Sequence, residues 1–211
     1  MKKIAVIVFL LTVCVAAGLA QESRQDVSLS GTALVEPFIG ASTDVYVHST
    51  TAFGLLASYR YMLTPNSAVE GNYGITYQNK INFSTNGICI LNYGNEPGCD
   101  VLTRTQEFSA EYVRSFTFRK YNPFVEAGPG EVVFMPIRNS GTKLLDVKQQ
   151  MQMAAFYGAG IAREISPSFD IRAEFRGIIT KVPTFNYPNG VLNTNKWYNI
   201  YSPAIGVAYH F

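Results

Sequence analysis

The chain has 211 residues, of which 47% are hydrophobic, and it carries 17 lysines and arginines against 15 aspartates and glutamates. This length suits a single domain. Two of the lysines, Lys2 and Lys3, lie at the extreme N-terminus, so the rest of the chain has 15 charges of each sign. It therefore has no basic excess that would favour nucleic acid as a partner.

The first twenty residues have the three parts of a secretory signal peptide: a basic start, an apolar run over residues 4–15, and small residues before the cleavage site. The apolar run is shorter than the ~20 residues of a membrane-spanning helix. A retained membrane anchor is the alternative. We predict a cleaved signal peptide over residues 1–20 and a short periplasmic segment over residues 21–26.

Eight extended segments follow, and most alternate apolar with polar side chains at the period of two expected of a β-strand. In the seventh, Phe169, Ile171 and Phe175 share one face, while Asp170 and Arg172 lie on the other. The predicted strands run over Val27–Pro37, Ala52–Met62, Ala68–Gln78, Thr105–Phe118, Pro123–Met135, Gln149–Arg163, Phe169–Lys181 and Tyr198–Phe211.

The connections between these segments alternate between short and long, which is the layout of an up-and-down outer-membrane barrel. A signal peptide places the N-terminus in the periplasm, so the long connections fall outside the cell. The predicted short turns are Leu63–Ser67, Arg119–Asn122 and Glu164–Ser168, and the predicted long loops are Phe38–Thr51, Asn79–Arg104, Pro136–Lys148 and Val182–Trp197.

A soluble β-sandwich and a secreted lipocalin-type barrel are the alternatives to a membrane barrel. Three features favour lipid outside: balanced charges on the polar faces, aromatic side chains at the ends of the apolar faces, and a last strand ending in Tyr209 and Phe211. These two residues resemble the C-terminal assembly signal of outer-membrane barrels. We predict an all-β fold, an eight-stranded antiparallel up-and-down transmembrane β-barrel over residues 27–211, with three short periplasmic turns and four long outer loops.

Three residues fit this pattern poorly. Arg114 falls on an apolar face, where an arginine costs up to ~2–4 kcal/mol at mid-bilayer but much less near an interface. It lies near the periplasmic end of its strand, so we expect it to reach the interface, with a bulge that resets the register as the alternative. Pro129 and Pro203 each remove a ladder donor, which predicts a bulge or irregular pairing at both.

The interior of an eight-stranded barrel is just filled by side chains. Buried charges persist there only when they are paired and hydrogen-bonded. We interpret the inward charges as a structural polar plug, with a gated narrow pore or proton path as the alternative. The predicted network consists of Arg60, Glu70, Glu107, Glu111, Arg172, Glu174 and Arg176.

Two cysteines remain after the signal peptide, Cys89 and Cys99, and an even count in an exported protein predicts a disulfide. Closing this small loop contributes about 3 kcal/mol. Two thiols without a nearby histidine do not complete a zinc site. The disulfide lies in the longest predicted loop, which is therefore the best candidate for a surface contact. A stiffened, protease-resistant loop without a ligand is the alternative.

Catalysis has little support in the sequence. The two histidines are His48, in the first outer loop beside Ser49, and His210, at the periplasmic rim. Lipid A deacylases resemble this chain in size and fold, but a serine next to a histidine in sequence gives no catalytic geometry. No phosphate loop, dinucleotide fingerprint or calcium loop occurs. We predict no enzyme activity, no cofactor and no metal.

Several motifs resemble the small eight-stranded outer-membrane family that includes the OmpA N-terminal domain, OmpX and the opacity-type proteins. They lie at residues 59–62 (YRYM), 123–130 (PFVEAGPG), 157–160 (YGAG) and 168–177 (SFDIRAEFRG). The resemblance implies a Gram-negative outer-membrane location and contacts with outer-membrane lipid, lipopolysaccharide and the barrel-assembly machinery. It also implies a structural or surface role, in envelope integrity or in adhesion through a host or surface ligand of the outer loops. A small-solute channel and a lipid A-modifying enzyme are the alternatives.

Overall fold

Strands account for all the regular structure that is described, and among the described residues no helix has the length and apolar composition needed to cross a membrane. The predicted signal peptide, residues 1–20, lies outside the described residues. The computed structural model describes residues 24–36, 45–85, 88–89, 91–93, 96–98, 100–118, 120–137, 147–186, 192 and 195–211.

Eight long strands build the barrel wall, and four short strands lie between them at one end. The long strands are β1 (Gln25–Leu34), β3 (Ala52–Thr64), β4 (Ser67–Thr85), β8 (Asp100–Ser115), β9 (Tyr121–Pro136), β10 (Gln150–Ser166), β11 (Phe169–Lys181) and β12 (Trp197–His210). The short strands are β2 (Val45–Ser49), β5 (Ile88–Cys89), β6 (Leu91–Tyr93) and β7 (Glu96–Gly98).

The long strands pair antiparallel in the order β1-β3-β4-β8-β9-β10-β11-β12, and β12 returns to β1. Val27 of β1 pairs with Tyr209 on one side and with Tyr59 on the other. The backbone amide of Phe211 donates to the carbonyl of Gln25 at 3.0 Å, which closes the seam. The predicted eight-stranded antiparallel barrel is confirmed. We call the end with both termini the inner end and the opposite end the outer end.

The structure corrects the predicted loop over residues 79–104. β4 continues to Thr85 and β8 begins at Asp100, so the two strands extend the sheet beyond the predicted boundary and pair with each other as far as Asn82 and Asp100. The sequence pattern failed at Gln78, which has a φ of 59° and lies in a register shift between Thr76 and Asn79. This bulge moves the alternation by one residue, so the period of two appears to stop there.

The outward face of the barrel is apolar and exposed, as lipid requires. Phe53 and Met153 are 75% and 76% exposed, and aromatic rings pack together across neighbouring strands. Tyr73 lies 4.9 Å from Phe108, and Phe169 lies 5.1 Å from Tyr209, between ring centroids. The apolar surface is therefore a continuous belt around the wall.

The three poorly fitting residues are accommodated without a bulge. Arg114 faces outward in register with Ser67, and its Nη1 donates to the Ser67 hydroxyl at 2.8 Å beside a short inner turn. Pairing skips Pro129 and Gly128 on the β8 side, and Pro203 and Ser202 on the β1 side, with the same register resumed afterwards. Irregular pairing at both prolines is as predicted, because each lacks the amide proton that the ladder needs.

The interior has two tiers. Towards the inner end it holds charged side chains, and towards the outer end it holds a buried apolar cluster that includes Leu34, Phe83, Phe134, Phe156 and Ile200. On β11 the change occurs between Arg176 and Ile178, both about 1% exposed. The barrel core is thus hydrophobic at the outer end and ionic at the inner end.

Inward-facing glycines make room for the largest interior side chains. A Cβ on Gly160 would meet the ring of Phe124, and one on Gly130 would meet the ring of Phe156 and the carbonyl of Phe108. At Gly71, by contrast, a Cβ would have no atom within 4 Å. The bulky interior residues therefore depend on missing side chains opposite them.

We expect Gly130→Ala to lower the free energy of unfolding by about 1–3 kcal/mol, because an added methyl group must displace a ring and a backbone carbonyl. Gly71→Ala is the matched control and should change it by less than about 0.5 kcal/mol. Urea titration of the folded protein in lipid vesicles, followed by the gel mobility of unboiled samples, measures both. Equal stability of the two variants would contradict this packing.

Candidate functional site

Four strands of the wall deliver the charged side chains to the interior: β3, β4 and β8, which are neighbours, and β11 across the lumen. Arg60 comes from β3 and Glu70 from β4, which pair directly across the strand boundary. Residues at every second position then project inward along β8 and β11. The structure places all seven residues of the predicted network inside the barrel, each at most 8% exposed: Arg60, Glu70, Glu107, Glu111, Arg172, Glu174 and Arg176.

Arg176 is the centre of the network. Its Nη1 donates to Glu107 Oε1 at 2.6 Å and its Nη2 donates to Glu111 Oε1 at 2.7 Å. Its Nε lies 3.7 Å from Glu126 Oε1. One planar guanidinium thus joins β8 and β9 to β11 across the lumen, which suits the fixed fork of arginine donors.

A second group lies closer to the inner end and is built on two arginines. Arg60 Nε is hydrogen-bonded to Glu70, and Arg172 bridges Asp26 at 3.1 Å and Glu70 at 3.4 Å. Both guanidinium groups lie over the ring of Phe124, at 4.8 Å and 5.7 Å from its centroid. Phe124 therefore supports both cations from the opposite wall.

Sequence reasoning missed Asp26, Glu126 and Phe124. Asp26 was assigned to the periplasmic segment 21–26, but β1 begins at Gln25 and brings Asp26 to 1% exposure. Phe124 and Glu126 alternate with Val125 in a predicted strand, and their shared face is the signal that could have found them. These additions link the first and the fifth long strand to the network.

Carboxylates outnumber guanidiniums in this network. Glu70, Glu126 and Glu174 bring carboxylate oxygens within 4.8 Å of one another, and they are the group in the described residues that could hold a cation. The three arginines beside them neutralise part of this charge.

Free space is unevenly distributed along the interior. At the inner end, a cavity of about 130 Å³ is lined by Arg60, Arg172 and Asp170, whose Oδ2 is 3.0 Å from His210 Nε2. At mid-height, the space between Thr32 and Glu107 has no volume that a water molecule could occupy. The cavity therefore opens at the inner end and stops below the apolar tier.

At the outer end, β2 folds back onto β4 and buries a small polar cluster. Asn79 Nδ2 donates to Glu36 Oε1 at 2.7 Å, and the Ser49 hydroxyl donates to Asn79 Oδ1 at 2.5 Å. His48 precedes Ser49 in β2, where it pairs with Asn82 through the backbone. The Ser49 hydroxyl is therefore engaged by β4.

The outer rim carries cations stacked on aromatic rings. Arg104 lies 4.8 Å from the ring centroid of Tyr77, and Lys181 Nζ lies 5.6 Å from that of Trp197. These rings are 49% and 59% exposed on the outward face. Positive charge is thus held at the outer edge of the apolar belt.

The connection between β4 and β8 contains a disulfide-bonded cysteine. Cys89 is disulfide-bonded, and β5, which contains it, pairs with the outer end of β4. The predicted partner, Cys99, lies outside the described residues. The covalent link is therefore located on the longest extension above the apolar belt.

The sequence matches the family described as the outer membrane protein beta-barrel domain over residues 6–211. This chain belongs to that family. Its location is the outer membrane, and the apolar belt is the surface that faces lipid. A search of curated proteins gives no match.

Solved structures of small outer-membrane barrels share this fold at low sequence identity. OprG from Pseudomonas aeruginosa is 12% identical with a TM-score of 0.58, and the match covers 90% of this chain and 97% of OprG. Neisserial surface protein A is 13% identical with a TM-score of 0.57, and the match covers 90% of this chain and 98% of that protein. Ail from Yersinia pestis, in complex with the heparin analogue sucrose octasulfate, is 14% identical with a TM-score of 0.53, and the match covers 90% of this chain and 100% of Ail.

We expect Arg176→Met to lower the free energy of unfolding by about 3–5 kcal/mol, because it leaves Glu107 and Glu111 buried without their cation. Arg114→Met is the matched control, since Arg114 is exposed on the outward face, and it should cost less than about 1 kcal/mol. Urea titration in lipid vesicles compares the two. A difference below 1 kcal/mol would show that the lumen charges do not depend on Arg176.

Proposed function

We propose that this protein is a non-enzymatic, non-conducting outer-membrane barrel that acts through its outer surface. The observation that carries this proposal is the filled interior. Arg172, Arg176, Phe124 and Phe156 are each at most 2% exposed inside the wall, and the mid-height space does not admit water. In this proposal the charged network is a plug that holds the strands in register.

A lipid A-modifying enzyme has less support from the geometry. The Ser49 hydroxyl donates a hydrogen bond to Asn79, within a cluster that packs β2 against β4. His210 pairs with Asp170 at the inner end, away from the outer leaflet. Among the side chains that the structure describes, which do not include that of His48, neither arrangement places a serine nucleophile beside a histidine base.

The outer rim is the part of the surface for which the structure suggests a partner. Arg104 over Tyr77 and Lys181 over Trp197 hold positive charge where the lipid belt ends. Phosphate groups of lipopolysaccharide occupy that level in the outer leaflet. We propose that these two pairs bind anionic groups of the lipid headgroups, with the rings fixing the cations.

The non-conducting interior predicts an absence of discrete channel events in planar-bilayer recordings. The measurement uses the folded protein, checked by gel mobility of an unboiled sample, at voltages of both signs. As a positive control for the apparatus, an open porin is recorded in the same bilayer. Single-channel steps that disappear on denaturation would support the channel alternative instead.

The rim proposal predicts that Arg104→Ala and Lys181→Ala each reduce the extra thermal stability gained in vesicles containing lipopolysaccharide over phospholipid vesicles. Arg163→Ala is the matched control, because Arg163 lies 5.6 Å from the ring of Tyr121 at the inner end. It should leave the gain unchanged. Adding sucrose octasulfate distinguishes a lipid headgroup from a free sulfated ligand as the source of the anionic group. Competition by sucrose octasulfate would indicate a free sulfated ligand at the same cations. An equal loss in all three variants would contradict the proposal.

A further inference from the structure

Glu36 is the buried acid of the outer end that the proposed plug does not use. It follows the bridge between Val35 and Tyr201 at the end of β1, so it lies beyond the membrane-spanning part of the strand. Its side chain shares the inward face with Leu34 and is 6% exposed. A carboxyl group at such a position needs partners from the elements around it.

Two elements supply those partners. Asn79, on the bulge of β4, donates its amide to Glu36 Oε1 at 2.7 Å and is fully buried. Ser49, the last residue of β2, donates to Asn79 Oδ1 at 2.5 Å and is also hydrogen-bonded to Glu36. The three side chains therefore join β1, β2 and β4 at one point.

Among the residues that the structure describes, the cluster offers a carboxylate no cation. Within the described residues, no lysine, arginine or histidine forms an ion pair with Glu36. From β12 it faces Tyr198, whose buried hydroxyl has no hydrogen-bond partner. Lys80, next to Asn79, is exposed on the opposite side of β4.

Burial raises the pKa of Glu36 to about 7, and its hydrogen bonds with Asn79 and Ser49 only partly offset this rise. An acid whose pKa is raised in the folded state stabilises that state at low pH, and this stabilisation is lost as pH rises through the folded value. The stabilisation is therefore lost over the pH range between 4.5, the ordinary pKa of the glutamate side chain, and about 7. Around neutral pH, the cluster therefore changes charge.

We infer that Glu36, Asn79 and Ser49 form a proton-dependent latch that docks β2, the short strand within the first outer connection, onto β4. When Glu36 is neutral, the cluster fits into the buried outer end of the barrel and β2 is held. When it is ionised, an uncompensated charge is buried, and opening of β2 relieves it by letting water reach the carboxylate. The latch makes the exposure of this part of the outer surface depend on external pH.

Hydrogen exchange of the β2 amides, Val45–Ser49, tests this inference in the folded protein in vesicles. After correction for the intrinsic rate, we expect protection to fall roughly tenfold or more between pH 5.5 and pH 8, as the shift in the Glu36 pKa requires. Glu36→Gln stays neutral, so its protection should not change with pH. Unchanged protection in the natural protein would overturn the latch.

Two further variants keep the test decisive. His48→Gln is the matched control, because a histidine next to Ser49 titrates in the same range, and it should retain the pH dependence. If that dependence disappears in His48→Gln, the inference fails. Ser49→Ala removes a hydrogen bond but keeps the carboxyl group, so the midpoint of the transition should rise, which gives a readout even if Glu36→Gln does not fold. These outcomes do not depend on whether the rim binds lipid.

Discussion

Closure of the sheet is the constraint on which the rest of this structure depends. In hydrocarbon, backbone amides and carbonyls must find partners within the protein, and an open sheet edge would leave a row of them without any. β12 therefore returns to β1, with Val27 held between Tyr209 and Tyr59. Pairing is interrupted at Pro203, which has no amide proton to donate, and it resumes at the bridge between Val35 and Tyr201.

Closure also encloses an interior that side chains fill at mid-height, and this shapes the chemistry of the lumen. Charges buried there need partners nearby, and Arg176 serves two glutamates at 2.6 and 2.7 Å with one side chain. Glycines on facing strands leave the space that Phe124 and Phe156 fill. Towards the outer end the interior changes to apolar packing, and there the buried Glu36 forms no ion pair with any described residue. The wall, the plug and the latch all follow from one requirement, that buried polar groups be compensated.

The sequence predicted the barrel strands because alternation with a period of two survives in most of them. The sequence-based prediction failed where a bulge shifts the alternation of side chains by one residue. The bulge at Gln78 hides the continuation of β4 to Thr85, and β2 is a short strand in what reads as a loop. The charged residues on the inward faces could be recognised from the same alternation. Their pairings could not, because Arg176 and Glu107 are 69 residues apart in the chain and meet only after closure.

The amino-acid sequence by itself determined the class of object: a two-faced β-chain with an export signal pattern, alternating connection lengths and aromatic residues at the strand ends. These are local properties, fixed by side-chain type and spacing. The tertiary structure alone decided that Asp26 and Glu126 join the lumen network, that Phe124 supports two arginines, and that Glu36 is buried beside Asn79 and Ser49. These are properties of register and burial, and a carboxylate has the same letter in the sequence whether it meets a guanidinium, an amide or water.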